Sequence, residues 1–292
     1  MSGTTAGLHP NVSMLFREVE LLARPQAAAD AGFDAIECWW PFDGPLPSDG
    51  AYDRFVAAVR DAGVALVAVN LDGGDLAAGD RGILSHPDQH ARVEAGLDVA
   101  ERLVLDLGVE VVHGLVGNRR LGLDPREQDS HAMVQLARVA ARLGPTGARV
   151  VVEALNPWEN PLYPLHTTAA AIALLDRIER EHGQQLHLLY DVYHAQRSEG
   201  ELLGTIERLG HRFGHVQLAD APGRGAPGTG EIAVTRVLAA LGASAFDGRV
   251  GLEYLPTGTT ADSLTALDTW RAALAAGSTG AAAAGETDRT QE

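Results

Sequence analysis

Four apolar runs in the second half of the chain each end on an oxygen-bearing side chain: RVVVEAL with Glu153, LHLLYDVYH with Asp191, FGHVQLAD with Gln217 and RVGLEY with Glu253. Successive members are separated by 38, 26 and 36 positions, about one strand–loop–helix unit each. Buried strands laid side by side bring all four to one rim. Three carboxylates held close together in a dry place repel, and a buried charge must be paired or bound to metal. A donor set made only of oxygen suits a hard divalent ion, Mg2+ or Mn2+, better than zinc or copper. The quartet therefore predicts a metal site and, with it, an active site.

The elements that must position these residues alternate along the chain. Apolar runs at 11–16, 34–40, 65–71, 109–116, 149–155, 187–194, 212–220 and 249–255 read as strands. Stretches with helical periodicity or helix stop signals follow them at 17–31, 52–62, 88–107, 125–143, 168–182, 199–210, 232–241 and 261–275. Eight strand–helix units in one chain predict a single α/β domain, a closed (β/α)8 TIM barrel over 1–276. An open doubly wound sheet is the alternative. It would carry a glycine-rich turn after its first strand, where this chain has Arg17-Glu18. The barrel puts its active site at the C-terminal ends of the strands, where all four residues sit. Alternation agrees, since Val151 and Glu153, Leu189 and Asp191, His215 and Gln217, and Gly251 and Glu253 each share a face. Gly251 leaves space inside the barrel below Glu253, and His215 points inward one layer below Gln217. The small, polar stretch 277–292 reads as a disordered tail.

Composition narrows the classes of function. A net charge of −16 opposes a nucleic-acid backbone and an anionic membrane surface. No run approaches the ~20 apolar residues of a membrane span, and the N-terminus lacks a signal-peptide pattern. Cys38, the single cysteine, excludes an intrachain disulfide and fits a reducing cytoplasm, where it serves as a small core residue. The expected partner is a small-molecule substrate, and exposed apolar rim residues allow a homo-oligomer.

The segments VVEALN, LLYDVYHAQRSEG, HVQLADAPGRGAPGTGEI and VGLEYLP resemble the hydroxypyruvate isomerase family of the xylose-isomerase-like barrels. NLDGGDLAAGDRG and AIECWWPF extend the resemblance into the first half. The resemblance implies that Glu153, Asp191, Gln217 and Glu253 bind the metal, with Glu153 and Glu253 also the proton-transfer pair. It implies an isomerase that moves a carbonyl between adjacent carbons of a small hydroxy-oxo acid through an enediolate. Hydroxypyruvate, giving tartronate semialdehyde, is the first expectation and a four-carbon 2-oxo-tetronate the second. An oxo-acid substrate demands a cation, and Arg81 in GDRG and Arg224 in PGRG both lie on rim loops. His194 matches the family's substrate-contacting histidine, although its strand parity is opposite to that of Asp191, so the chain must turn there. Glu37 is a candidate to orient substrate or a rim loop. Trp39, Trp40 and Trp158 are candidates for an apolar pocket wall.

Two features pull toward other readings. Glu159 resembles the pocket glutamate of the ketose 3-epimerases, six residues after the first metal ligand. Gln217 points back to the isomerases, because the epimerases usually carry histidine there. A 3-epimerase of a neutral ketose is thus the second enzyme reading, and a non-catalytic ligand-binding barrel is the reading outside catalysis. An endonuclease of the same barrel type would need more histidine ligands and a basic rim.

Overall fold

The computed structural model describes residues 7–288. Eight parallel strands form one sheet: β1 (Leu8–Pro10), β2 (Ala35–Cys38), β3 (Ala65–Asn70), β4 (Val111–His113), β5 (Arg149–Glu153), β6 (His187–Asp191), β7 (Phe213–Leu218) and β8 (Val250–Leu252). The helices are α1 (Arg24–Asp30), α2 (Asp49–Asp61), α3 (His90–Leu107), α4 (Pro125–Leu143), α5 (Thr168–His182), α6 (Val192–Ser198), α7 (Leu202–Leu209), α8 (Val234–Ala243), α9 (Thr260–Ser263) and α10 (Leu267–Asp288). Strand order runs β1-β8-β7-β6-β5-β4-β3-β2, so from β2 to β8 each strand pairs with its neighbour in sequence, and β1 pairs with β8. The seam between β1 and β2 is closed by one parallel bridge from Asn11 to Glu37, with the Val12 N–H donating to the Glu37 carbonyl at 2.8 Å. This is the expected TIM barrel. Its strands are short, β-branched-rich and buried on both faces, as strands covered by helices must be.

Inside the barrel, Ala68, Val111, Val151 and Leu189 form a small apolar layer, separate from the larger core between strands and helices. The parallel register sets Asp191 opposite Gln217 and Gln217 opposite Gly251. Inward-facing positions at the strand ends therefore lie in one ring, and in this chain they are polar.

Three differences from the sequence expectations have local causes. The first strand is Leu8–Pro10 and not 11–16. Beyond Asn11 the chain turns, with the Met14 and Leu15 N–H groups donating to the Asn11 carbonyl, and Val12, Leu15 and Phe16 fill the core from that turn. An apolar run marks burial without marking conformation. The expected strand 187–194 stops at Asp191, because that side chain caps α6 at once. The expected helix 261–275 is broken into α9 and α10, and α10 continues to Asp288, so the boundary placed at 276 falls inside a helix; residues 289–292 lie outside the described part. No helix of the described residues is long and apolar enough to cross a membrane.

Candidate active site

Each of the four strand-end residues is placed by a different local device. Glu153 is the last residue of β5 and is buried. Asp191 ends β6 and is the N-cap of α6: its Oδ1 accepts the backbone N–H groups of Tyr193 (2.7 Å) and His194 (3.2 Å). Gln217 lies on β7, and Glu253 follows β8 directly. The Asp191 cap also explains His194. Three residues into a helix the chain has come round again, so His194 stands over Asp191 despite the parity a continued strand would give it.

A cavity of about 440 Å3 opens at this end of the barrel, lined by Glu153, Gln217 and Glu253 together with Trp39, Arg81, Glu159, His194 and Arg224. Asp191 lies just under its wall, with Oδ2 accepting from Arg224 Nη2 at 3.0 Å. The same Nη2 also donates to Glu253 Oε2, and Arg224 Nε donates to the Glu253 carbonyl at 3.3 Å. Arg224 thus reaches the quartet itself. Its backbone is left-handed (φ 53°), on a loop held by Asp220, whose carboxylate accepts the N–H groups of Ala221, Gly228 and Ile232. Gly230 is obligatory in that loop, since a Cβ there would lie 2.0 Å from the Ala221 carbonyl oxygen. A second cavity of about 490 Å3 opens at the opposite end of the barrel, lined by Glu110, Arg149, Asp247 and Arg249. Its Arg149 and Asp247 already satisfy each other, and the rim ring does not reach it.

Burial governs the protonation of the site. Desolvation raises the proton affinity of Glu153 well above the ordinary carboxylate value, with the Asp191 and Glu253 charges adding to it. Glu253 is pushed up to about 7 by burial, against the opposing pull of Arg224. Asp191 is also raised by burial, Arg224 again opposing. Burial and the Arg224 charge keep His194 neutral. Its Nδ1 accepts the Asn156 backbone N–H at 3.1 Å, so Nε2 carries the ring proton. That Nε2 lies 3.0 Å from Arg224 Nη1, and two donors converging there leave a place for an acceptor oxygen.

The residues present fit a divalent cation. Carboxylate oxygens of Glu153 and Asp191 lie within 4.8 Å of one another. Glu153 Oε1 is buried without a hydrogen-bond partner. Three carboxylates against one guanidinium leave two negative charges when ionised, the charge a divalent ion offsets.

The remaining candidates divide. Glu159 lines the cavity and accepts the Tyr193 hydroxyl at 2.5 Å and Asn156 Nδ2 at 2.9 Å. Arg81 lines it too, tied by Nε to Asn160 Oδ1 (2.8 Å) and by Nη1 to the Asp80 carbonyl (2.8 Å), with no ion pair among the described residues. Glu37 does not reach the cavity; it lies buried beneath Gln217, whose Nε2 donates to it at 2.8 Å. Of the three tryptophans only Trp39 lines the cavity, donating from Nε1 to Glu253 Oε1 at 2.6 Å. Trp40 packs edge-on to Phe42, and Trp158 is exposed. Cys38 is buried in β2 with its thiol pushed toward the protonated form by burial.

Sequence reasoning passed over Asn11 and His113. Asn11 donates to both Glu37 and Glu253, and His113 Nε2 lies 3.6 Å from Glu153 Oε2. His113 ends the run VVH just as Glu153 ends its own, so the strand-end signal was present. Burial pushes its imidazole down to about 3, which keeps it neutral.

Residues 25–274 match the family model for the xylose isomerase-like TIM barrel. A Streptomyces coelicolor protein named as a hydroxypyruvate isomerase is 44% identical over 84% of this chain and 89% of its own length. A 2-oxo-tetronate isomerase of Pectobacterium atrosepticum is 32% identical over 89% of this chain and 96% of its own. Among solved structures, one titled AP endonuclease, family 2, from Brucella melitensis superimposes with a TM-score of 0.82 at 30% identity, covering 90% of this chain and 98% of that one. The chain belongs to the xylose isomerase-like TIM barrel family, and within it to the hydroxypyruvate isomerase family. It is an enzyme, an isomerase of that kind.

Proposed function

We propose that this chain is a metal-dependent isomerase of a small hydroxy-oxo acid, with Glu153 and Glu253 as its proton-transfer pair. The observation that carries the reading is two buried glutamates of raised proton affinity, three strands apart round the barrel, lining one cavity with Asp191 and Gln217 on the strands between. Moving a carbonyl to the next carbon requires taking a proton from one carbon and returning one to its neighbour. A group that holds its proton near neutrality serves either step, an effect worth about 10²–10⁴-fold. Glu153, Asp191, Gln217 and Glu253 would hold Mg2+ or Mn2+, which when bound supplies Lewis-acid stabilisation of the enediolate charge. His194 Nε2 and Arg224 Nη1 would hold a substrate oxygen between them, and Glu159, braced by Tyr193, would meet a hydroxyl. The chain contains no lysine, which removes a Schiff-base route to the same carbanion.

Substrate choice rests on the two arginines. Arg224 is engaged by Asp191 and Glu253, while Arg81 faces the cavity without an acidic partner among the described residues. We assign Arg81 to the far-end carboxylate, with hydroxypyruvate and 2-oxo-tetronate as the substrates, as the names of the relatives suggest. A neutral ketose would leave that charge unused. A nuclease reading conflicts with the net charge of −16. The lone buried Cys38 suits a reducing cytoplasm.

With metal-stripped protein resupplied with Mn2+ in D2O, hydroxypyruvate should take up deuterium at the carbon next to its carbonyl and be converted to the aldehyde isomer. Glu153→Gln and Glu253→Gln should each lose at least about a hundredfold in kcat. Full exchange in either variant removes the proton-transfer assignment.

A further inference from the structure

We propose that Glu37, one layer below the cavity, is a positioning residue that decides which end of the Gln217 amide faces the site and, through Asn11, which way Glu253 points. The inference rests on the metal reading above.

A carboxylate can only accept hydrogen bonds, and it has about four lone-pair sites. All four are used on Glu37. His9 Nε2 (3.0 Å) and His215 Nε2 (2.5 Å) meet Oε2, while Asn11 Nδ2 (3.0 Å) and Gln217 Nε2 (2.8 Å) meet Oε1. The two ends of a glutamine amide are nearly the same size, so only their partners choose between them. An acceptor-only group below Gln217 forces its nitrogen down. The carbonyl oxygen is then left for the cavity that Gln217 lines, which is the end a cation needs. A neutral amide at position 37 could satisfy Gln217 in either orientation, and the wrong one presents N–H to the cation.

Asn11 extends the same control. Its Oδ1 accepts the Ser13 backbone N–H at 2.9 Å, which assigns both hydrogens of Nδ2. One goes to Glu37 Oε1 and the other to Glu253 Oε1, each at 3.0 Å. Glu253 is held by Oε1 from Asn11 together with Trp39 Nε1 (2.6 Å), with Oε2 turned toward Arg224.

The fold makes room for this carboxylate at some cost. A Cβ at position 251 would lie 2.4 Å from Glu37 Oε2, so β8 carries glycine at the place where Glu37 crosses the barrel. Burying an ionised carboxylate is expensive unless every lone pair is met. His9, Glu37 and His215 could be taken for a second metal site, because their ligand atoms lie within 4.8 Å of one another. Both Nε2 atoms, however, already meet the same Glu37 oxygen, and the cluster is sealed from solvent.

The test is Mn2+ affinity, read by titration calorimetry on the metal-stripped full chain, with Tm measured alongside. Glu37→Gln should weaken the Mn2+ Kd by about ten- to a hundredfold, the usual effect of removing a group that orients a metal ligand. Gln217→Glu should also weaken it, because two carboxylates then meet. The double variant Glu37→Gln, Gln217→Glu reverses the polarity of the contact and should bind Mn2+ at least about tenfold more tightly than Gln217→Glu alone. That comparison stands even where Glu37→Gln fails to fold. A lowered Tm with a Kd within about twofold of wild type makes Glu37 merely structural and overturns the proposal. So does a double variant no tighter than Gln217→Glu. Wild-type protein that binds no Mn2+ sinks the metal reading and this inference with it, whereas binding that ignores position 37 sinks this inference alone.

Discussion

Arg81 and Arg224 carry the same charge at the same rim, and their surroundings give them different work. Arg224 is tied to two carboxylates, so its charge is largely spent within the protein. Among the described residues Arg81 is fixed only by neutral acceptors, and it keeps its charge for a ligand. Arg81→Met should therefore raise KM for hydroxypyruvate by about ten- to a hundredfold, the worth of a charge-assisted hydrogen bond, with a smaller change in kcat. Steady-state kinetics checks this, and an unchanged KM would favour a neutral ketose. Glu253 gives a prediction about pH. Its folded value of about 7 lies above the ordinary 4.5, so the folded protein holds a proton that the unfolded chain releases between those limits. Stability must then fall as pH rises through that window. Metal-stripped wild type should lose Tm relative to Glu253→Gln between about pH 4.5 and pH 7 and run parallel to it above, with Mn2+ reducing the difference. At this scale the quartet and both arginines were legible because each is a polar residue at the end of an apolar run or in a glycine-rich loop. Glu37 was visible as a residue, but its role as an acceptor for four donors was not.

Among the elements, the loop between β7 and α8 is the most exacting. Asp220 holds it by accepting three backbone N–H groups, and the loop carries Arg224 in a left-handed conformation that few non-glycine residues adopt. Asp220→Ala should cost about 1.5–3 kcal/mol or more in denaturant unfolding and raise KM as Arg224 loses its frame. An undiminished stability would mean that the loop holds itself. The turn from β6 into α6 works by a similar device, with Asp191 capping the helix that carries His194. The sequence pattern placed Asp191 correctly and ran the strand three residues too far, because Val192 and Tyr193 are as apolar in a buried helix as in a strand.

For the whole molecule, the barrel is finished by α10 packing on α8 at bare backbone. A Cβ at Gly277 would lie 2.0 Å from the Ala239 carbonyl oxygen, and one at Gly242 would lie 2.1 Å from that of Leu274. Gly277→Ala should therefore lower stability by about 1–3 kcal/mol while leaving Mn2+ affinity and KM unchanged, since the contact is on the outer layer. Thermal unfolding and metal titration test the two halves of that statement. The composition of 277–292 shows no apolar face and reads as a tail, whereas at Gly277 itself a small residue is what the crossing of α10 on α8 requires.

What the chain determined by itself was the barrel and its polar ring. Apolar runs recurring at the spacing of a strand–helix unit have one economical closure, and period-two alternation then sends the last polar residue of each run inward. What only the tertiary structure decided was the floor under that ring. Asn11 meets Glu253 from 242 positions away, and Glu37 meets His215 from 178. Those contacts arise where β1 returns to β8 and where Glu37 on β2 reaches across the barrel to β7, and no local pattern marks them. A hydrogen-bond network spread over the ends of a chain exists only after the chain has closed.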